Sequence, residues 1–407
     1  MIGYGAPVGW FRSPRRPSRR RFAGHALRVV RRMPEVRAAT YDPERFAISL
    51  HHVGGGTAAW LFLENIYQEA ADAPAARRRE RLQQLVRIMT APRSEDGWDD
   101  VRDRLRPVLR PQTFGQAGPP GMQPPLSRPA LPFLHELVVV DHKDAMAYVT
   151  AGRLSDWGVD ADEVFEAARQ NLAEMARRSL DGPWERDGSA MITMVDDGDA
   201  YFTSLLLAPG WLADVSERVG EPVLAFAPDN HTLVLCSPPD DVSTLYALVE
   251  KHFQEASRSV SPVGYVAGPD GRTIPYAPPA GHPHEVATRR AEAVLAAAEY
   301  GAQTSWLTTQ YAAAGIDVHV GELLAVVPPG GPAETIATWT DGITSLLPAA
   351  RSIAFVRAGG VALRVPWPAV VAEVGLQPEP LLTPLRYRVE GWPSPEVMDR
   401  LRVHAVE

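Results

Sequence analysis

Residues 221–236 read EPVLAFAPDNHTLVLC, and residues 242–256 read VSTLYALVEKHFQEA. The first stretch has two apolar runs around Pro228–Asp229–Asn230, a pattern typical of two strands joined by a turn. In the second stretch the apolar residues recur at the spacing of one helix face. The sequence therefore predicts a β-hairpin followed by a helix, with Asp240 and Asp241 as capping residues.

A similar pattern lies 186 residues earlier in the chain. Residues 36–52, VRAATYDPERFAISLHH, predict a hairpin that turns at Asp42–Pro43, and residues 57–70, TAAWLFLENIYQEA, predict a helix. NIYQEA in this helix aligns with KHFQEA in the later one, and the hairpins and helices of the two segments align at the same offset without a gap. The correspondence indicates an internal repeat.

The template fits two further segments. Residues 137–150, LVVVDHKDAMAYVT, predict a hairpin, and a helix follows from Asp160, which forms a capping box with Glu163. Residues 316–347 predict two short strands and then a helix with Pro332 in its first turn. The apolar face of that helix would consist of Ile336, Trp339, Ile343 and Leu346.

These segments predict an α+β protein. Four strand-strand-helix-strand units would form antiparallel sheets with helices packed on one face, since one hairpin and one helix cannot bury enough apolar surface alone. An Ala-rich helix over about 285–300, ending at Gly301, and a terminal helix starting at Ser394–Pro395 complete the chain. We expect five regions: a basic arm (1–33), a first hairpin-helix unit (34–110), a Pro/Gly-rich linker (111–132), a core with two units (133–277) and a C-terminal unit (278–407).

Composition excludes several classes of protein. The 407 residues include 45% hydrophobic and 22% charged residues, with no apolar run long enough to cross a membrane. The single Cys236 cannot form an internal disulfide or a cysteine-based metal cluster. A net charge of −8 argues against a general nucleic-acid binder, and no signal peptide is evident. We expect a cytoplasmic protein of two or three domains.

Three segments of the middle region carry a family resemblance. They are LVVVDHKDAMAYVTAGRLSDWGVDADEVFEAARQNLAEM (137–175), MITMVDDGDAYFTSLLL (191–207) and EPVLAFAPDNHTLVLCSP (221–238). Their order and spacing resemble the YtpQ-like family, a bacterial domain of unknown function. The resemblance would cover about residues 30–277 and implies a cytoplasmic protein, with residues 285–407 as an added unit. It implies no catalytic residues.

A glycine run offers a candidate anion site. HHVGGGTAAW (51–60) places Gly54, Gly55, Gly56 and Thr57 between a strand and a helix, where backbone N–H groups can hold a phosphate. A P-loop would need a lysine before the threonine, and the chain has none there. The alternative interpretation is a plain helix entry capped by Thr57.

The N-terminal region is strongly basic, although the rest of the chain is acidic. Two interpretations are open: a docking arm for an acidic partner or nucleic acid, and a solvated tail that runs into a basic helix. The candidate docking residues are Arg15, Arg16, Arg19, Arg20 and Arg21.

Other polar clusters have simple structural interpretations. Asp197–Gly198, between MITMV and YFTSLLL, predicts a hairpin turn, and Cys236 in an apolar strand predicts a buried thiol. His282, His284 and Glu285 lack further metal ligands at a recognisable spacing.

No motif for nucleophilic catalysis or for a cofactor is present. We therefore expect a non-enzymatic interaction or adaptor protein, without a cofactor or metal, that binds another protein. Exposed sheet edges would also allow a homodimer. The alternative is a small-ligand-binding protein or enzyme with a cleft near Gly54–Thr57.

Overall fold

A computed structural model of the chain shows an α+β architecture with helices and several β-sheets. The structure describes residues 17–53, 59–70, 75–90, 97–118, 123–142, 145–181, 191–196, 201–328 and 331–406. The chain divides into two compact units, one of Met1–Asp96 with Lys143–Ala145 and one of Gly97–His142 with Met146–Glu407.

The first unit is a three-stranded antiparallel sheet with helices. Its elements are α1 (Arg19–Val30), β1 (Val36–Asp42), β2 (Ala47–His52), β3 (Ala59–Phe62), α2 (Leu63–Ala70) and α3 (Ala75–Thr90). The sheet order is β1-β2-β3, so the predicted hairpin at Asp42–Pro43 is confirmed. Phe22 and Val30 of α1, Ile48 and Leu50 of β2, and Leu82 of α3 form its core.

The second unit begins with an antiparallel sheet and the helix that covers it. These elements are α4 (Trp98–Val101), β4 (Leu105–Pro111), β5 (Ser127–Leu131), β6 (Leu134–His142), β7 (Ala145–Tyr148), α5 (Ala151–Trp157) and α6 (Ala161–Ser179). β6 lies between β4 and β5 and also pairs with β7. The predicted capping box starts α6: Asp160 Oδ1 accepts from Glu163 N at 2.9 Å and Glu163 Oε2 from Asp160 N at 3.0 Å.

A five-stranded antiparallel sheet follows, in the order β12-β11-β9-β10-β8. Its elements are β8 (Met191–Val195), α7 (Trp211–Val219), β9 (Leu224–Phe226), β10 (Thr232–Cys236), α8 (Ser243–Glu255), β11 (Gly264–Ala267) and β12 (Thr273–Pro275). The hairpin and helix predicted from residues 221–256 are confirmed. This sheet carries the largest core of the protein.

The C-terminal part combines one long helix with two mixed sheets. Its elements are α9 (Glu285–Ala314), β13 (His319–Val320), β14 (Leu324–Val326), β15 (Glu334–Thr340), β16 (Ser345–Pro348), β17 (Ser352–Arg357), β18 (Gly360–Pro366), α10 (Trp367–Val374), β19 (Arg386–Val389) and α11 (Pro395–Arg402). The sheet orders are β13-β16-β19 and β14-β15-β17-β18, and the pairs β13–β16 and β15–β17 are parallel. Ser394 caps α11 as predicted.

The prediction of a helix after Pro332 is wrong. The segment forms β15 and β16, and alternate residues of β15 are buried, from Thr335 through Ala337 to Trp339. Ile343, assigned to the helix face, is exposed. The β-branched residues between 335 and 340 favour a strand, and the spacing of four apolar residues at helical intervals did not outweigh that preference.

Two helix boundaries also differ from prediction. Ala59–Phe62 pairs with β2 as β3, so the helix begins only at Leu63. α9 continues through Gly301 to Ala314 and ends at Gly315, whose φ of 66° suits a helix terminus. A glycine costs only about 1 kcal/mol relative to alanine inside a helix, so the helix-forming residues after Gly301 carry it onward.

The structure differs from the predictions for the linker over residues 111–132 and for the turn after β8. Residues 127–131 within the 111–132 segment form β5, and the division between units falls at residues 96–97 because β4 pairs with β6. Residues 202–207 form a 3₁₀ helix, and β8 pairs with β10, so the hairpin expected around Asp197–Gly198 does not form. Residues 197–200 themselves lie outside the described ranges.

The four-unit repeat is not confirmed. Residues 221–275 follow the strand-strand-helix-strand order, with α8 between β10 and β11. In the first unit a third strand precedes the helix, and in the last segment β16, a strand, occupies the place of the helix. Segments that resemble each other in sequence therefore adopt different structures at these positions.

Candidate ligand cavity in the second unit

A cavity of about 250 Å³ lies in the second unit, beside the N-terminal half of α9. Phe133, from the turn between β5 and β6, and Val263, Tyr265 and Pro275, from the β11–β12 region, contribute apolar walls. The start of β15 with the residue before it, and the connection from β16 to β17, contribute Ala333, Thr335, Ala349, Ala350 and Arg351. With α9, the cavity thus joins five segments that are distant in sequence.

Helix geometry places charged and small side chains of α9 together at this cavity. Arg289, Glu292, Ala293 and Ala296 all line it. Their spacing of three and four residues puts them on one helix face. The alanines leave room for a ligand, whereas the two charged residues provide polar groups at its edge.

Arg289 is held by carboxylates of its own helix and of β15. Its Nη2 donates to Glu334 Oε1 at 3.0 Å, and its Nη1 lies 3.6 Å from Glu285 Oε1. Glu334 also accepts from Arg364 at 3.3 Å. The buried Nε of Arg289 has no hydrogen-bond partner among the residues that the structure describes.

Glu292 and Arg351 differ from this clamped arginine. Neither side chain forms a hydrogen bond or an ion pair with any residue that the structure describes. The backbone of Arg351 is nevertheless fixed, because its N–H donates to both the carbonyl and the hydroxyl oxygen of Thr335 at 3.0 Å. The cavity therefore presents one carboxylate and one exposed guanidinium whose polar atoms are available to a ligand.

Burial changes the acidity of Glu292. Desolvation raises the pKa of the Glu292 carboxyl above its usual range, and the attraction of Arg351 and Arg289 acts in the opposite direction. The buried Tyr246 side chain also lies within the electrostatic influence of Glu292. A positively charged or hydrogen-bond-donating ligand group would therefore stabilise the desolvated carboxylate of Glu292.

Tyr265, which lines the cavity, lies in a closely packed part of the sheet. Tyr265 is fully buried, and its hydroxyl lies 2.7 Å from Ser261 Oγ. Gly264 precedes it, and a Cβ at that position would lie 2.6 Å from Tyr246 Oη and 2.8 Å from Leu224 Cδ1. A larger residue at position 264 would therefore require the side chains of Tyr246 and Leu224 to shift.

The sequence-predicted anion site lies outside the described residues. This applies to Gly54, Gly55, Gly56 and Thr57, and to Arg15 and Arg16 of the basic arm. The remaining docking candidates, Arg19, Arg20 and Arg21, lie in the first turn of α1, where Ser18 accepts from Arg21 N at 3.4 Å. All three side chains are exposed, but Arg19 pairs with Glu64 and packs over the Phe46 ring at 4.5 Å. Of the described docking candidates, Arg20 and Arg21 present the more accessible cations.

Both ring nitrogens of His284, in the histidine cluster, lie at hydrogen-bond distance from other groups of the protein. His284 Nδ1 lies 2.9 Å from Tyr276 Oη, and its Nε2 lies 3.1 Å from the carbonyl oxygen of Asp240. Glu285 accepts from Gly281 N. Within the described ranges no group of three or more His, Cys, Asp or Glu residues is arranged to hold a metal ion.

The prediction of a buried thiol is confirmed. Cys236 lies in β10 with its Sγ 3.6 Å from the carbonyl oxygen of Leu224. Desolvation raises the pKa of this thiol to about 11. The thiol therefore stays protonated at neutral pH, which disfavours its use as a nucleophile.

Sequence analysis did not single out Arg289, Glu292 or Arg351. In the sequence, Arg289 and Glu292 are typical of the solvent-exposed face of an Ala-rich helix. The one signal was the run of alanines around them, which leaves space beside a charged pair. Arg351 carried no signal, because its position depends on the pairing of β15 with β17, and the β15 segment was predicted as a helix.

Comparisons with known proteins give no family for this chain. No protein-family model, no curated protein and no solved structure matches it. The YtpQ-like assignment of residues 30–277 therefore stays a prediction. Among the described helices, none combines the length and apolar character that a bilayer crossing requires.

Proposed function

We propose that this protein binds a small, largely apolar molecule in the cavity beside α9. One observation carries the proposal: a preformed apolar cavity of about 250 Å³ contains a carboxylate and a guanidinium that have no partner among the described residues. Binding sites for small molecules commonly combine apolar walls with a few polar groups that orient the ligand. An apolar cavity of about 150 Å³ already accommodates benzene, so this one suits a substituted aromatic ring or a branched aliphatic chain.

A cavity-filling substitution tests this proposal. Ala296→Trp places an indole where the ligand would lie, and we expect it to weaken binding of small aromatic compounds at least tenfold. Ala298→Trp is the matched control, because Ala298 is exposed on the same helix and does not line the cavity. Saturation-transfer NMR with indole and L-phenylalanine measures the effect, and circular dichroism verifies that both variants fold.

The binding experiment has three possible outcomes. Binding to wild type and to Ala298→Trp, with loss in Ala296→Trp, supports the cavity as the site. Equal binding to all three proteins would place the ligand elsewhere, and no binding to wild type would contradict the proposal.

A second candidate function is protein interaction through an exposed sheet edge, as the sequence analysis expected. β14 is the edge strand of its sheet, and Leu324, Ala325, Val326 and Val327 are all exposed. Such an edge offers unpaired backbone groups to another strand. We propose a second copy of the chain as the partner, because antiparallel pairing of β14 with itself opposes only uncharged residues. The nearest charged residue, Glu322, lies outside the strand.

A lysine on this edge should prevent the pairing. We expect wild type to have about twice the 44.4 kDa chain mass in light scattering coupled to size exclusion, and Val326→Lys to have the monomer mass. Val361→Lys, an exposed position on the opposite edge strand β18, should remain dimeric. Monomeric wild type, or a dimeric Val326→Lys variant, would exclude this edge as the dimer contact.

A further inference from the structure

We infer that the cavity ligand is an apolar α-amino acid, bound with its ammonium group at Glu292 and its carboxylate at Arg351. This inference rests on the proposed function, and it specifies the chemical class of the ligand. It follows from the charges around the cavity, from the unequal burial of the two groups and from the composition of the walls.

The first step is the charge balance at the cavity. Arg289 and Arg364 share Glu334, and Arg289 also approaches Glu285, so these charged groups have partners within the protein. Glu292 and Arg351 are the cavity-lining charges without such a partner in the described structure. They have opposite sign. A ligand that complements both carries one positive and one negative group and is itself neutral overall.

The second step is the environment of each group. Glu292 is partly buried beside an apolar wall, where a carboxylate gains most from a donor that replaces its lost hydration. An ammonium group supplies three such donors. Arg351 is exposed, and its planar guanidinium can donate two parallel hydrogen bonds to one carboxylate. The ammonium would therefore lie deeper and the carboxylate nearer to solvent.

The third step excludes ligands with a single charge. A monocarboxylate at Arg351 would approach Glu292 without a compensating cation, and like charges at short distance repel. A monoamine at Glu292 would approach Arg289 and Arg351 in the same unfavourable way. An α-amino acid avoids both repulsions. Its side chain would then lie against the apolar walls formed by Phe133, Val263 and Ala296.

Isothermal titration calorimetry with three related probes tests this inference. L-Phenylalanine, 3-phenylpropanoate and 2-phenylethylamine share the aromatic ring and differ in which charged groups they carry. At pH 7 we expect the full chain to bind L-phenylalanine at least tenfold more tightly than either analogue. Glu292→Gln and Arg351→Gln should each reduce that preference, whereas the exposed Arg388→Gln outside the cavity should not.

The failure of the inference differs from the failure of the proposed function. If an analogue binds as tightly as L-phenylalanine and Ala296→Trp abolishes that binding, the cavity is a ligand site but its ligand is not a zwitterion. If none of the three probes binds, both proposals fail. Unchanged selectivity in Glu292→Gln and Arg351→Gln would also overturn the inference, because the preference for L-phenylalanine would then not depend on these two charged groups.

Discussion

Arg386→Met should destabilise the second unit by about 3 kcal/mol or more, the largest effect that we expect from one substitution. Arg386 is fully buried in β19 and forms no ion pair with any carboxylate in the described ranges. Burial lowers the pKa of its guanidinium to about 10, which still leaves it charged at neutral pH. A buried cation of this kind persists only where hydrogen bonds replace its hydration.

Neutral acceptors supply those hydrogen bonds. Nε donates to Gln303 Oε1 at 2.7 Å, Nη1 to the carbonyl oxygens of Gly321 and Leu346, and Nη2 to Thr304 Oγ1 at 2.6 Å. One side chain thereby connects α9, the residue after β13, β16 and β19. Methionine has similar length but no donors, so it would leave these buried acceptors unsatisfied at about 1–3 kcal/mol each where no other donor reaches them.

Urea unfolding followed by far-UV circular dichroism measures this effect. Arg388→Met is the control, since Arg388 lies on the same strand, is exposed and pairs only with the nearby Glu390. We expect the control to unfold near the wild-type midpoint. Equal midpoints for Arg386→Met and Arg388→Met would show that the buried guanidinium does not hold these elements together.

Glu136→Ala should have the second largest effect, a loss of about 2–3 kcal/mol. Glu136 is fully buried in β6, where Arg169 of α6 donates to its two carboxylate oxygens at 2.9 and 2.8 Å. Arg128 of β5 donates to Oε2 at 2.7 Å, and its guanidinium also lies 4.1 Å from the centre of the Phe165 ring. The substitution would leave two partly buried cations without their anion. Water can reach both arginines in part, which keeps the expected loss below the upper range for buried pairs.

α6 itself provides the matched control. Glu174 binds Arg177 and Arg178, so it also joins one carboxylate to two arginines, but it does so on the exposed surface. Glu174→Ala should therefore unfold close to wild type in urea. If the two glutamate variants lose equal stability, burial is not what makes the Glu136 cluster important.

Local signals in the sequence determined several elements correctly. The Asp160–Glu163 capping box marks the start of α6, and Ser394 before Pro395 marks the start of α11. The Asp42–Pro43 turn and the turn over Pro228–Asn230 each join two antiparallel strands. In each case a short-range contact, a capped N–H or a tight turn, decides the structure, so a few neighbouring residues contain the necessary information.

Other features depend on contacts between distant segments. β15 pairs in parallel with β17, and this pairing overrides the helical spacing that was read between Ile336 and Leu346. The cavity requires Phe133, Tyr265, Glu292 and Arg351 to meet, although 218 residues separate the first from the last. A single sequence carries no local pattern that joins such positions. The candidate site could therefore be found only after the fold was known.

Alanine-methyl NMR tests the central claim, that the cavity beside α9 binds a small molecule, most directly. Ala293, Ala296, Ala333, Ala349 and Ala350 line the cavity, and Ala298 is an exposed reference on the same helix. During titration with L-phenylalanine we expect saturable shifts of the five cavity methyl signals and none for the Ala298 signal. Saturable shifts confined to other alanines, or no shifts at millimolar ligand, would contradict the account.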